Sequence, residues 1–128
     1  MKLLLDTHIL LSLIERQLAG LSPGVQAFLT DPHSEYHLSA ASLWEIAIKS
    51  RLGKLRLKPR LNALPELLDS LGIAILSINE HHALAVVEPE PKTRDPFDRM
   101  LLAQCQIEGL RLVTMDRALI SHPLAAKP

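Results

Sequence analysis

The stretch KLLLDT at residues 2–7 decides how the fold of this chain is interpreted. Three successive leucines with no polar alternation favour a strand covered on both faces, as in the middle of a parallel sheet. Asp6 ends that strand. In open α/β sheets the ligand crevice lies outside the carboxyl ends of the strands, so the sequence predicts a site near Asp6.

The rest of the chain alternates between helical and strand patterns. Apolar spacing predicts helices over residues 9–18, 22–31, 41–52, 61–71, 79–87 and 95–109, and apolar runs predict strands at 36–39, 73–78 and 110–114. This alternation predicts an α/β fold, a three-layer α/β/α sandwich with a mostly parallel central sheet. We expect one domain over residues 1–128, and the prolines of the tail weaken a further edge strand at 124–126.

Composition excludes several classes of protein. The chain has 128 residues, 48% of them apolar, and its 14 basic residues balance its 14 acidic ones, so any binding of nucleic acid must be local. The single cysteine, Cys105, excludes an internal disulfide and a cysteine-built metal site, and favours a reducing compartment such as the cytoplasm. No stretch approaches the roughly 20 apolar residues that a membrane span requires, so no membrane partner is expected.

Four acids occupy related positions in the predicted order of elements. Asp6 follows the first strand, Glu45 lies in the helix after the second, and Asp116 follows the fourth. These three acids are predicted to lie at the edge of the sheet formed by the carboxyl ends of the strands. Asp98 joins them if its helix, which precedes the fourth strand, begins at that edge.

Each acid also has a purely structural interpretation. Asp6 and Asp116 are suitable amino-terminal helix caps, and Ser42 with Glu45 matches the capping-box pattern. Glu45 can also pair with Lys49 one turn further on. Taken singly, these roles are favoured over a functional one.

Residues 95–98 predict a helix start, with Asp95 at the cap and Asp98 in the first turn, where the helix dipole favours an acid. The histidines receive structural predictions as well. A lone His8 is expected to pack or to form a hydrogen bond. His81 and His82 face opposite ways on a short helix, and both are expected at the surface.

Taken together, the four carboxylates predict a cation. Two unit charges about 4 Å apart repel by about 4 kcal/mol at an effective dielectric near 20, and Arg99 and Arg117 are the few fixed cations nearby. Hard oxygen ligands without cysteine or an obvious histidine pair favour Mg²⁺, with Mn²⁺ as a substitute. Such an ion lowers the pKa of a bound water and stabilises charge on a phosphate, which predicts phosphodiester hydrolysis.

Four motifs follow one another along the chain: LLDTH at 4–8, SAASLWEI at 39–46, RDPFDR at 94–99 and LVTMD at 112–116. In this order and spacing they resemble the PIN-domain ribonucleases of the VapC type, the toxins of type II toxin-antitoxin systems. The resemblance implies Mg²⁺-dependent cleavage of RNA and inhibition by a cognate antitoxin. It assigns the acidic quartet to Asp6, Glu45, Asp98 and Asp116, with Thr7, Thr114 and Asp95 in support.

In the mechanism that we expect, Asp6, Asp98 and Asp116 hold one or two Mg²⁺ ions. Glu45 is a further ligand or orients the attacking water.

Residues 49–60 form the only basic cluster of the sequence. One interpretation is a solvated helix end. Another is contact with RNA phosphates, and a third is an antitoxin groove lined by the interleaved leucines. The residues concerned are Lys49, Arg51, Lys54, Arg56, Lys58 and Arg60, with Arg99 and Arg117 elsewhere. The leucine-rich helices at 9–18 and 41–52 can supply a homodimer contact.

Two rival classes remain. A catalytically silent binding module would keep the fold but not the metal dependence. A phosphoryl-transfer domain also places an aspartate after the first strand. Phosphatases of the haloacid dehalogenase type need a second one where His8 stands, and receiver domains need an acceptor where Ile78 and Asn79 stand.

Overall fold

The three leucines of residues 3–5 lie in an interior strand of a parallel sheet. The computed structural model describes residues 1–127 and contains the strands β1 (Lys2–Leu5), β2 (Glu35–Ser39), β3 (Ile73–Leu76) and β4 (Arg111–Val113). Their order is β3-β2-β1-β4, and each neighbouring pair is parallel. Helices cover both faces, which confirms the predicted fold class.

The register explains the unbroken apolar run. Leu5 pairs with Leu38 of β2 and with Val113 of β4, so β1 has a hydrogen-bonded neighbour on each side. The three leucines are fully buried at 0% exposure. Leu3 and Leu5 join one core cluster and Leu4 joins another, because successive side chains of a strand point to opposite faces.

Within residues 1–127, six helices connect the strands: α1 (Thr7–Ile14), α2 (Pro23–Thr30), α3 (Ala40–Arg51), α4 (Leu64–Ser70), α5 (Glu80–Leu84) and α6 (Pro96–Glu108). All the predicted helices are present. The first is shorter than predicted because Arg16 adopts a positive φ of 56°, which ends the helical path before a short 3-10 turn at Leu18–Gly20. A second 3-10 turn, Leu61–Ala63, precedes α4.

Each face of the sheet has its own core. Side chains of α1 to α4, such as Ile9, Val25, Ile46 and Leu68, pack on the Leu3 and Leu5 face. On the Leu4 face α6 contributes most of the contacts, through Leu101, Leu102 and Cys105 among others. Burial raises the pKa of the Cys105 thiol to about 12, so this cysteine stays protonated and unreactive.

The tail adds one bridge rather than a strand. The Leu112 amide donates to Leu124 O at 2.9 Å, the Ala126 amide donates to Leu112 O at 2.8 Å, and Leu112 and Ala125 form an isolated parallel bridge. Pro128, the last residue of the predicted tail, lies outside the described residues. Among residues 1–127 no helix has the length and apolar character to span a membrane.

His82 corrects a prediction. It was expected at the surface but is only 2% exposed, because α5 packs against α6 with this side chain inward. Its Nδ1 accepts the Asn79 amide at 3.1 Å, and its Nε2 lies 3.4 Å from Glu108 Oε2. His81 is exposed, as expected.

Candidate active site

The acidic residues meet where the winding of the sheet reverses. From β1 the chain proceeds to β2 and β3 on one side, whereas β4 lies on the other, so the topological switch point falls between β1 and β4. Asp6 follows β1 and Asp116 follows β4. Helix α6 leads into the parallel strand β4, so it must begin at this same carboxyl edge, and Asp98 lies in its first turn. Ligands of open α/β sheets bind at such a crevice.

Asp6 is a buried carboxylate held by a threonine. It is 5% exposed and occupies the N-cap position of α1, but its side chain makes no capping hydrogen bond. Instead Thr114 Oγ1 donates to Asp6 Oδ2 at 2.7 Å, and the Asp116 amide donates to Thr114 Oγ1 at 3.0 Å. The prediction of Asp6 as a helix cap is therefore wrong for its side chain, which faces β4.

Asp98 is held in a similar way from the preceding loop. The predicted helix start is confirmed, since Asp95 Oδ1 accepts the Phe97 amide at 2.9 Å and Pro96 is the first helical residue. Thr93 Oγ1 donates to Asp98 Oδ2 at 2.9 Å and accepts the Asp95 amide at 3.2 Å. The Thr93 hydroxyl thus connects the loop before α6 to the N-cap residue Asp95 and to the carboxylate of Asp98.

The pKa values show that the aspartates share one electrostatic environment. Burial raises the pKa of Asp98 to about 6 against the opposing Thr93 hydrogen bond, and the charges of Asp95, Asp6 and Asp116 raise it further. Burial also raises the pKa of Asp6, and the charge of Asp116 adds to this, whereas Thr114 and His8 oppose it. The surroundings of Asp6 and Asp98 therefore contain too little positive charge to offset the burial of the two carboxylates.

Glu45 is placed differently from the aspartates. Its Oε2 accepts from Lys49 Nζ at 3.0 Å, which confirms the predicted pair along the helix. The predicted capping box with Ser42 is wrong, because α3 begins directly at the end of β2 and Ser39 occupies the cap, accepting the Ala41 amide at 3.0 Å. Ser42 is buried instead.

The sequence suggested Thr7, Thr114 and Asp95 as supporting residues, but it missed two others. Thr7 Oγ1 donates to Ser42 Oγ at 3.0 Å, so Ser42 ties α1 to α3 beside Asp6. Thr93 was missed entirely. The contact of Thr7 with Ser42 joins two segments that are distant in sequence, and the contact of Thr93 with Asp98 joins a loop to a helix. No local sequence pattern predicts either contact.

The predicted cationic residues divide into two groups. Arg99 forms an ion pair with Glu90 and donates through Nε to Thr93 O at 3.2 Å, so it fastens the loop that carries Thr93. Lys49 pairs with Glu45, as described above. The others extend into solvent: Arg51, Lys54, Arg56, Lys58, Arg60 and Arg117.

The donor set suits a hard divalent cation, although it is not a closed set of ligands. Within residues 1–127, no three histidine, cysteine, aspartate or glutamate side chains are grouped closely enough to hold a metal ion. Burial raises the pKa of Asp6 and of Asp98, and among the ion pairs of the described residues neither carboxylate has a cationic partner. Carboxylate oxygens of this kind are ligands that Mg²⁺ accepts. Asp116 is exposed and its Oδ1 accepts the Ala118 amide at 2.8 Å, which also agrees with its predicted capping role.

Comparison with known proteins agrees with this architecture. The family model of the PIN domain matches residues 3–123, a range that includes all four acids and every residue of the four strands except Lys2. A comparison with curated proteins returns no match. Since the matched range covers nearly all of the sequence, the chain belongs to the PIN-domain family.

Proposed function

We propose that this protein is a Mg²⁺-dependent endoribonuclease that acts in the cytoplasm as the toxin of a toxin-antitoxin pair. PIN domains are generally nucleases that use divalent metals. The observation that carries the proposal is the shared environment of Asp6, Asp98 and Asp116 at the switch-point crevice, with two raised pKa values. The toxin role is supported by the four motifs that resemble VapC-type ribonucleases.

Two hydroxyl groups give the site its rigidity. Thr114 fixes the carboxylate of Asp6 and Thr93 fixes that of Asp98, each through Oδ2. Together with the exposed Asp116, these carboxylates would hold Mg²⁺ or Mn²⁺. When bound there, such an ion would lower the pKa of a water and offset charge on the scissile phosphate.

We infer an auxiliary role for Glu45 from the motif in which it lies. It is partly buried on α3, and its pair with Lys49 at 3.0 Å directs its carboxylate along the helix. We assign it to orient the attacking water or to complete the ligands. Family membership argues against the phosphatase and receiver-like alternatives, whereas a silent binding module remains to be separated by experiment.

The test is RNA cleavage by the purified protein with Mg²⁺ or with EDTA, for the wild type and for Asp6→Asn. We expect EDTA to stop cleavage and Asp6→Asn to lower its rate by about thousandfold, equivalent to about 4 kcal/mol of transition-state stabilisation. Asp69→Asn, an exposed acid on α4, is the matched control and should cleave normally.

Cleavage at the wild-type rate by Asp6→Asn would sink the site assignment. A folded wild-type protein that cuts no RNA in Mg²⁺ or Mn²⁺ would instead identify a silent binding module. Thermal unfolding of each variant shows whether the fold is kept.

A homodimer contact is proposed at the groove between α3 and α6, which encloses about 470 Å³. Trp44 is 63% exposed there, with its ring 5.7 Å from that of Phe97 in an edge-to-face arrangement. Helix α1, the other predicted dimer element, packs Leu11, Leu13 and Ile14 against the core and has little apolar surface to offer. A partner for this groove must present apolar side chains, as a second copy of the groove does.

Light scattering on the purified protein tests the contact. We expect a dimer for the wild type and a monomer for Trp44→Glu, because a charge in the apolar contact costs more than the contact gains. The matched control is Leu84→Glu, an exposed apolar residue on α5, which should remain dimeric. A wild-type monomer at micromolar concentration would contradict the proposal.

A further inference from the structure

Residues 54–60 form a segment with two chemically distinct faces. Lys54, Arg56, Lys58 and Arg60 are exposed, whereas the residues between them are partly buried. Leu55 and Leu57 pack against the core on the Leu3 and Leu5 face of the sheet. This alternation has the period of an extended chain, and we name the four exposed side chains the basic ladder.

The packing of Leu55 and Leu57 argues against one interpretation of this stretch, although Leu52, just before it, is exposed. The sequence allowed an antitoxin groove lined by the leucines between the basic residues. A helix that docks in a groove needs exposed apolar pockets for its anchoring side chains. Leu55 and Leu57 already pack against the protein core, so the ladder presents charge without such pockets.

The charges of the ladder are not neutralised within the protein. Across the described part of the chain, residues 1–127, no acidic side chain lies within 4.0 Å of a ladder nitrogen, and the ion pairs present involve other residues. Four free positive charges are therefore concentrated in one short segment of a chain whose formal net charge is +0. Such a patch attracts polyanions.

Topology directs the ladder toward the acidic edge. Helix α3 starts after the carboxyl end of β2 and runs back toward the amino edge of the sheet. Because β3 is parallel to β2, α4 must also descend from the carboxyl edge before β3 begins. The segment between α3 and α4 therefore climbs back toward the edge that holds Asp6.

We propose that the basic ladder binds the phosphate backbone of a single-stranded segment of RNA and leads it to the acidic site. The chain bends at Lys54, Lys58 and Pro59, so the four cations follow one another along a short, curved and exposed path. Grooves of spaced cations follow a single strand through its phosphates, without regard to sequence. The proposal rests on the proposed ribonuclease function and adds to it the form of the substrate.

The test measures binding separately from cleavage, in the Asp6→Asn background. Fluorescence anisotropy with a labelled single-stranded RNA gives the dissociation constant at a series of salt concentrations. The ladder variant replaces four charges with glutamine, as Lys54→Gln, Arg56→Gln, Lys58→Gln and Arg60→Gln. The matched control removes four exposed charges elsewhere, as Lys2→Gln, Arg16→Gln, Arg111→Gln and Lys127→Gln.

We expect the ladder variant to bind on the order of tenfold or more weakly at low salt, and the slope of log K against log salt to fall by about 0.7 for each lost contact with a single strand. The control variant should keep most of the affinity and the slope. Since the four ladder side chains are exposed and form no ion pair within residues 1–127, the ladder variant should have the unfolding temperature of the parent. The control variant also loses the hydrogen bonds that Lys127 donates to Ile120 O and His122 O, so its unfolding temperature is measured beside it.

An unchanged slope in the ladder variant would overturn the proposal, as would equal losses in both variants, since these indicate only overall charge. Retained RNA binding with loss of a co-expressed antitoxin would also overturn it and assign the ladder to a protein partner. If the wild type cleaves RNA while the ladder variant binds like its parent, the ladder proposal alone fails. If the wild type does not cleave, the ribonuclease proposal fails, and the binding data still decide the ladder.

Discussion

The acidic edge and the basic ladder carry opposite charge, and they are built in opposite ways. Asp6, Asp98 and Asp116 come from distant parts of the chain, and threonine hydroxyls from other segments hold two of them. The four charges of the ladder lie within seven consecutive residues and extend into solvent. The acidic edge is therefore a property of the whole fold, whereas the ladder is a property of local sequence.

This difference determines how each region responds to change. The charges of Asp6 and Asp116 raise the pKa of Asp98, and the charge of Asp116 raises the pKa of Asp6, so the removal of either charge alters a neighbouring carboxyl group. Charges on the ladder are screened by water and act nearly independently. We expect coupled effects at the acidic edge and additive ones along the ladder.

The largest effect that contrasts the two regions is expected for Asp98→Asn. Cleavage should fall by about thousandfold, or about 4 kcal/mol, because an oxygen ligand of the ion is lost. The metal-free variant should nevertheless be more stable than the wild type at pH 7.5, because a half-buried charge is removed. No single substitution in the ladder should lower the cleavage rate while it raises the stability of the metal-free protein.

The pH dependence of unfolding checks the physical reason. The pKa of Asp98 is raised to about 6 in the folded state, so the folded protein holds this proton more tightly than the unfolded chain. Its contribution to stability is fully present below the pKa of the unfolded chain, near the ordinary value of 3.8, and is lost as the pH rises through about 6. With allowance for solvent screening, it amounts to about 1–2 kcal/mol.

Urea unfolding in EDTA at pH 5 and pH 7.5 measures this contribution. Between pH 7.5 and pH 5 the free energy of unfolding of the wild type should rise relative to that of Asp98→Asn. Both proteins have the same histidines and differ only at this carboxyl group, so the difference in pH dependence belongs to Asp98. Mg²⁺ should restore stability to the wild type at pH 7.5. Parallel pH profiles for the two proteins would contradict the shared environment of the aspartates.

Local patterns predicted much of this structure. The apolar run at residues 3–5 identified β1, and the Asp-Pro pair at residues 95 and 96 identified the start of α6 to the residue. Such features depend on neighbours in sequence. The predicted order of elements also put Asp6 and Asp98 at the carboxyl edge of the sheet, because few connections between parallel strands are possible.

Contacts between distant segments were not predictable in the same way. Ser42 matched a capping box, yet it accepts a hydrogen bond from Thr7, 35 residues earlier. His82 was expected in solvent, but the packing of α5 on α6 buries it. In each case the deciding partner lies on another element, and a single sequence carries no local sign of it.

Thr93 supplies the smallest expected effect and the sharpest contrast with the ladder. It never touches the proposed ion and acts only through Asp98, as a positioning residue. Thr93→Val removes a hydrogen bond to a carboxylate while it keeps the shape of the side chain, so cleavage at neutral pH should fall by about tenfold. Loss of that bond also raises the pKa of Asp98 further, and activity should recover partly at higher pH.

Thr93→Ser keeps the hydroxyl and should restore both the rate and its pH profile. Thr30→Val, at an exposed threonine of α2, controls for the substitution itself. A fall in rate with an unshifted pH profile would mean that Thr93 serves only the folding of its loop. A shifted profile that serine reverses would show that the acidic edge depends on a residue outside the quartet, because its charges are coupled through the fold, unlike those of the ladder.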